Sequence, residues 1–484
     1  MTTLSYDLVV IGGGSGGLTA ARVAAELGVR TALVEQQRLG GDCLWNGCVP
    51  SKALLKASKV AHAVRSAAAF GVEGNVAPAV DLRQVMRSVR TAQTGIAPRD
   101  SAQELRRYGV EVLFGPARFV DSATLDVAGR TVQARRLIIA TGSDAILPPV
   151  AGLRESGRVL TNETLFDLCE LPARLVVIGG GYIGVEMAQA FARLGSQVTI
   201  VEQEERILSS EEPDASAVLA AALGRDGVRI LCTTQAVRVT NEAQHAVVHI
   251  EHGGETDTLP ADRILVAVGQ RARSGALGLA AVGIQCDDTG AIKVDRYLRT
   301  SQPHIYAVGD VNGRYPFSHM AAYEASIAVR NAVFPLKTAT TYPVVAWSVF
   351  TDPEVAHLGL TEAEARQQHG HVVVIRLPIG TTDRAHAEHA LDGFIKVIAT
   401  PVRGKILGVH IVGQSAGEAI HTWVVAIKHG LTVRDVATTT HVYPTMSAGN
   451  QQAAVAFYDA SPWWYGAKRL VQRLVPHLAH VGGL

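Results

Sequence analysis

The chain carries one structural unit twice, and that repetition constrains its fold more than any other feature. LVVIGGGSGGLTAARVAAELGVRTALVEQ (Leu8 to Gln36) aligns without a gap to LVVIGGGYIGVEMAQAFARLGSQVTIVEQ (Leu175 to Gln203), at an offset of 167. Each copy reads as an apolar strand, a glycine turn, a helix of about ten residues and a second strand ending in Glu, the βαβ fingerprint of a dinucleotide site. The glycines are Gly12, Gly14 and Gly17 in the first copy, Gly179, Gly181 and Gly184 in the second. The first permits a tight turn, the second lets the backbone approach a pyrophosphate, and the third lets helix and strand pack closely. The helix N-terminus adds partial positive charge. Glu35 and Glu202 close the copies, where a carboxylate accepts hydrogen bonds from ribose hydroxyls. Two such units imply two dinucleotides.

At 484 residues the chain exceeds what one hydrophobic core organises, so two to four domains are expected. RRLIIATGS (Arg135 to Ser143), RILVAVGQ (Arg263 to Gln270) and IYAVGDV (Ile305 to Val311) read as further buried strands ending in turns. After Pro335 the pattern changes to strands such as VVAWSVF and GFIKVIAT mixed with helices. The fold class is α/β, with two Rossmann-like dinucleotide-binding domains followed by a C-terminal α+β domain. Forty-five basic residues against 44 acidic ones leave a formal charge of +1, which implies no nucleic-acid surface. The N-terminus lacks the basic region and cleavage site of a signal peptide, and no apolar run reaches membrane-spanning length. A soluble cytoplasmic protein is expected.

Two of the five cysteines, Cys43 and Cys48, lie in GGDCLWNGCVPSK directly after the first unit. A metal site or a redox disulfide could explain them. Structural zinc usually needs a second ligand pair, and none is present, so the redox reading is the better one and no metal ligands are assigned. That reading makes a geometric demand. In a regular helix, residues five apart have Cα atoms about 8.7 Å apart, whereas a disulfide needs less than about 7 Å. The helix must therefore break between them, and Asn46 and Gly47 sit where the break is needed. Pro50 suits the first turn of a following helix. Cys48 falls near that helix's N-terminus, where the dipole stabilises a thiolate. Cys169, Cys232 and Cys286 read as inert, mostly buried thiols.

Together these residues resemble the class I pyridine nucleotide-disulfide oxidoreductases, which include lipoamide dehydrogenase, glutathione reductase and mercuric reductase. The resemblance runs from about Tyr6 to Gln452. GGDCLWNGCVPSK is similar to the family's redox-cysteine segment, TSQPHIYAVGD to its second FAD motif, and VFTDPEVAHLGLTE to the start of its dimerisation domain. It implies an FAD-binding part at 1–149, an NAD(P)-binding domain at 150–288, a second FAD-binding part at 289–338, a dimerisation domain at 339–459 and a tail at 460–484. It also implies a homodimer. Cys48 would face the flavin and Cys43 the substrate, while Lys52 would approach the flavin and pair with Glu186, both buried. Tyr182 would gate the nicotinamide pocket and Asp310 would bind the FAD ribityl chain. Gly41, Thr141, Gly142 and Gly269 would complete the cofactor surfaces. Hydride would pass from NADH through FAD to the disulfide and on to an acceptor. Glu202 favours a free 2′-hydroxyl over a 2′-phosphate, hence NADH over NADPH, although Arg206 lies nearby.

The chain departs from the family at its proton relay. Disulfide-reducing members carry His-Pro-Thr-x-x-Glu near the C-terminus; here the segment is HVYPTMSAG, with Tyr443 in place of His and Ala448 in place of Glu. A phenol is a poor base at neutral pH. His441, two residues upstream in an extended run, could point the same way. Tyrosine at this position resembles mercuric reductase, yet the chain ends in PHLAHVGGL without that group's terminal cysteine pair. A mercuric-reductase-like enzyme is expected, with a small molecule or metal ion as acceptor. The alternatives are a dihydrolipoamide dehydrogenase-type enzyme and a quinone reductase that bypasses the cysteines. In the tail, Trp464, Ala467, Val471 and Leu474 share a helical face. Packing on its own dimer is preferred to a peripheral membrane contact.

Overall fold

The computed structural model describes residues 3–72, 79–342 and 345–478. It divides into two compact units: Met1–Gln203 with Thr233–Thr341, and Glu204–Cys232 with Tyr342–Leu484.

The first copy of the repeat forms β1 (Leu4–Ile11), α1 (Ser15–Glu26) and β2 (Thr31–Glu35). A helix α2 (Gly41–Trp45) and a longer helix α3 (Cys48–Ser66) follow. Strand β1 lies between β2 and β3 (Arg130–Ile139), parallel to both, with Leu8 opposite Thr31 and Arg136. Its side chains alternate between two cores, as the period of a strand demands. Leu8 and Val10 pack with Leu18 and Ala21 of α1, while Val9 and Ile11 pack with Leu137 and Ile139 on the other face. Both faces are covered, which is why the run is continuously apolar rather than alternating.

The second copy repeats this as β4 (Arg174–Ile178), α4 (Tyr182–Leu194) and β5 (Gln197–Val201). Strand β6 (Arg263–Val266) flanks β4 in parallel on its other side. The IYAVGDV segment returns to the first sheet: β7 (Ile305–Ala307) pairs with β3, and α5 (Ser318–Val333) follows.

In the second unit five strands form one antiparallel sheet in the order β8 (Ala346–Val349), β9 (Glu354–Gly359), β12 (Ile406–Gly413), β11 (Phe394–Ala399), β10 (Val373–Pro378). Every residue of β11 and β12 is buried. Helix α6 (Ala448–Ala460) covers this core with Phe457, and its Asn450 accepts the indole N–H of Trp423 at 2.9 Å. The tail forms α7 (Pro462–Leu478), anchored by Trp464, whose indole donates to Val402 and lies under Arg434. Val471 and Leu474, expected to pack, are 57 % and 47 % exposed on the single chain. The end of the tail, 479–484, lies outside the described residues. Among the described residues no helix is long and apolar enough to cross a membrane.

Candidate active site

The two glycine turns have the same construction. A Cβ on Gly17 would collide with the carbonyl oxygen of Gly12, and one on Gly184 with that of Gly179. Only glycine lets each helix start this close to its strand. Gly12 and Gly179 each hold φ at +107°, while Gly14 and Gly181 cap the two helices in extended backbone. Glu35 accepts the N–H of Gly13 and of Gln37, each at 2.7 Å, and Glu202 accepts the N–H of Gly180. Each carboxylate thus braces its turn and keeps lone pairs for ribose hydroxyls. Gly41 packs so tightly on Gly14 that a Cβ would meet its Cα, which joins the cysteine segment to the first turn. Thr141 and Gly142 follow β3, with the Thr141 hydroxyl donating to the Arg273 carbonyl at 2.7 Å, and Gly269 lies beyond β6. The cradle suits a dinucleotide pyrophosphate at both helix starts.

The helix breaks between the cysteines where the spacing predicts. Helix α2 ends at Trp45, Asn46 has φ −129° and ψ −6°, Gly47 has φ −125° and ψ −110°, and α3 starts at Cys48. A Cβ at Gly47 would sit 3.1 Å from the Asp42 carbonyl oxygen, too tight for comfort. Asp42 also holds the loop through its side chain, accepting from Asn46 at 3.1 Å and Asn162 at 3.3 Å. In the reduced pair the two thiols share a hydrogen bond.

Three helix starts meet at these sulfurs. Cys48 opens α3, Ser318 opens α5 with its hydroxyl 3.4 Å from Cys48 Sγ, and Ser15 opens α1 within hydrogen-bond reach of Cys43. The Cys43 thiol is pushed down to about 6, first by the hydrogen bond it accepts from Cys48; burial opposes this, and Ser318 and Ser15 assist. Cys48 is pushed up, first by that same bond and then by burial, even though part of its surface is exposed. The helix-start argument places the thiolate at Cys48. The shared proton places the first negative charge at Cys43, and the hydrogen bond decides because it acts at contact distance. Neither serine is marked by any local sequence motif; only the folded chain brings them here.

Lys52 donates to both oxygens of Glu186, at 3.0 and 3.2 Å, joining α3 to α4. The expectation that both are buried needs correction. The Glu186 side chain is 4 % exposed but that of Lys52 is 36 % exposed. Tyr182 opens α4, 40 % exposed, with its ring 6.5 Å from that of Phe317. Asp310 accepts the Ser143 hydroxyl at 2.8 Å, and burial pushes its carboxyl up. The remaining cysteines also need correction: Cys169 is exposed, and Cys232 and Cys286 are half-buried, since all three lie in loops or at sheet margins.

The relay segment lies in the other unit. Tyr443 is 70 % exposed in the loop before α6, and its hydroxyl donates to Asp383 at 2.7 Å, which pushes the phenol up. Ala448 starts α6. His441 stands in irregular backbone rather than a strand, and its Nδ1 lies 3.0 Å from the Thr439 carbonyl.

Residues 6–325 match the family described as pyridine nucleotide-disulphide oxidoreductase, and residues 345–454 match its dimerisation domain. The chain belongs to this family: it is an FAD-dependent oxidoreductase that uses a pyridine nucleotide and a disulfide redox centre. Among its relatives is a mercuric reductase of Bacillus cereus, 34 % identical over 93 % of this chain and 71 % of that protein. A dihydrolipoyl dehydrogenase of Thermus scotoductus is 37 % identical over 94 % of this chain and 98 % of that one. In structure the chain is similar to the Cu(II) complex of the HOCl-induced flavoprotein disulfide reductase RclA from Escherichia coli. That likeness has TM-score 0.85 and 27 % identity over 94 % of this chain and 99 % of that one.

Proposed function

We propose that this enzyme uses NADH to reduce a soft, thiophilic metal ion held at Cys43 and Cys48, in the manner of a mercuric-reductase-like homodimer. Two observations carry the reading: the Cys43 thiol is lowered toward neutral pH, and the relay segment of the other unit is stripped of its base. Cys43 is pushed down to about 6, whereas Tyr443 is tied to Asp383 and raised. A disulfide substrate needs a proton delivered to its leaving thiol; a soft metal ion needs only thiolate ligands. Bound FAD supplies the two-electron chemistry between coenzyme and thiols. Gly12, Gly14, Gly17, Gly41, Glu35 and Asp310 would hold it, and Gly179, Gly181, Gly184 and Glu202 would hold the coenzyme under Tyr182. Lys52, fixed by Glu186, would set the charge beside the flavin, and Ser318 and Ser15 would hold the thiolate. The overall balance is NADH + Hg²⁺ → NAD⁺ + H⁺ + Hg⁰, or two Cu²⁺ reduced to Cu⁺.

Arg206, the nearest basic residue in sequence to Glu202, already gives one guanidinium nitrogen to the carbonyls of Ser209, at 2.6 Å, and Glu211, at 3.4 Å, which supports the preference for NADH. A second reading, reduction of a lipoamide-type disulfide, has in its favour the 37 % identity to a dihydrolipoyl dehydrogenase. The test is anaerobic NADH oxidation by the purified holoenzyme with Hg²⁺, Cu²⁺, lipoamide, glutathione disulfide and a quinone in parallel. Turnover with the metal ions that vanishes in Cys43→Ser is expected. Faster turnover with lipoamide than with either ion would sink the metal reading, and metal turnover untouched by Cys43→Ser would sink the role of the thiols.

A further inference from the structure

The second unit holds a cluster of ligating side chains that the redox chemistry does not use. Glu211, His357 and His410 are 4 %, 3 % and 1 % exposed, and their donor atoms lie within 4.8 Å of one another. His357 on β9 and His410 on β12 are direct cross-strand partners, so both rings stand on one face of the sheet.

Hydrogen bonds fix the tautomers. His357 Nε2 lies 2.8 Å from the Gly359 carbonyl, and His410 Nε2 lies 3.0 Å from that of Leu360. A carbonyl only accepts, so each Nε2 carries the hydrogen and each neutral ring keeps its lone pair on Nδ1. His357 Nδ1 then faces Glu211 Oε2 at 2.9 Å, lone pair against lone pair. An electron-poor atom must lie between them. His410 Nδ1 is buried with no hydrogen-bond partner. A proton added to His357 would satisfy the first conflict and leave His410 unpaired. A metal ion would satisfy all three atoms at once.

We propose that Glu211, His357 and His410 bind one divalent transition-metal ion of the zinc and cobalt class, at a site separate from the redox cysteines. Two imidazoles and a carboxylate make a ligand set that such ions accept. The Nε2–H bonds to backbone carbonyls are the outer contacts that orient metal-bound histidines. The rings cross at 84° with centroids 4.6 Å apart, which lets two in-plane lone pairs converge. Trp347 stacks on His357 at 3.7 Å and donates to the second Glu211 oxygen at 2.6 Å, shielding the site and holding the carboxylate. Among the described residues Glu212, Asp214 and Glu362 are matched by Lys396, Arg366 and Arg376, so the carboxylate of Glu211 is left as the negative charge a cation would meet. Ligands on one such ion stand about 3.3 Å apart, so on loading the widest-spaced donors would draw in and the His357–Glu211 pair, now at 2.9 Å, would open slightly.

The test uses the full-length, flavin-loaded Cys43→Ser/Cys48→Ser protein, which lacks the competing thiolates. After exposure to Co²⁺ and dialysis it should retain one Co²⁺ per chain, with visible ligand-field bands of a nitrogen and oxygen set. In that background His410→Gln keeps a donor to Leu360 but loses Nδ1, and Co²⁺ binding should weaken by about 100-fold or more. A parent that retains no Co²⁺, or His410→Gln that binds it undiminished, overturns the proposal in favour of a proton on His357. Should His410→Gln not fold, X-ray absorption at the cobalt edge of the parent asks the same question. Two imidazoles with a carboxylate oxygen support the site, and any other shell overturns it. Acceptor turnover by the wild-type chain is measured separately, so failure here leaves the redox reading untouched.

Discussion

The chemistry of Cys43 rests first on its hydrogen bond with Cys48 and then on two hydroxyls that no spacing in the sequence announces. The cysteine pair and the break at Asn46 and Gly47 follow from helix geometry alone, so they are legible before folding. Ser15 reaches the same sulfurs from α1 and Ser318 from α5, far along the chain, and only tertiary packing brings them there. Because Cys43 is lowered from the usual thiol value to about 6, its thiolate is present above that pH and lost below it. Alkylation of the NADH-reduced enzyme by iodoacetamide should therefore rise between about pH 5 and 7 and then level off. A rise confined to pH 8–9 would show an ordinary thiol. In Ser318→Ala the midpoint should move up by about one to two pH units, the worth of one hydrogen bond to a charged group. The Lys52–Glu186 pair makes a different prediction. Lys52→Met strands a nearly buried carboxylate and should cost about 1–3 kcal/mol in urea unfolding of the holoenzyme. Lys52→Met/Glu186→Leu should recover most of that loss, and no recovery would mean the two side chains are not energetically coupled.

At the scale of elements, the repeated strand–turn–helix unit was the most readable part of the chain, since its pattern is local and occurs twice. Both copies carry the same collision behind their third glycine, yet under the proposed function they serve different dinucleotides. Gly17→Val should yield protein that purifies without flavin, because the start of α1 is driven off the first turn. Gly184→Val should keep its flavin and lose coenzyme binding, read as a rise of about tenfold or more in KM for NADH. If both variants lost flavin equally, the assignment of one copy to each cofactor would fail. The opposite limit is the pairing of β9 with β12. Each strand is buried along nearly its whole length, but the register that sets His357 beside His410 is a long-range property. The sequence offers no period that predicts it.

For the whole molecule, the sequence supplied the order of parts and the missing relay, while the side-chain partners of Tyr443 came only with the fold. The substitution of Tyr443 and Ala448 for the family's His and Glu is a change in an exposed loop and a helix start, not in the core. It should therefore be reversible without refolding the enzyme. In Tyr443→His/Ala448→Glu the new imidazole gains a carboxylate to orient it five residues away, and it no longer depends on Asp383. If the loop meets the thiols of a partner subunit, as the resemblance implies, this variant should gain dihydrolipoamide turnover by about 100-fold, the usual worth of a placed general acid and base. Turnover of a thiophilic metal ion, which needs no proton delivered to a leaving group, should change by less than about threefold. Tyr443→His alone should give a smaller gain, since an unoriented imidazole is a weaker catalyst than a held one. A double variant with no new dithiol activity, but with native flavin content and mass, would show that acceptor choice is set elsewhere than in this loop.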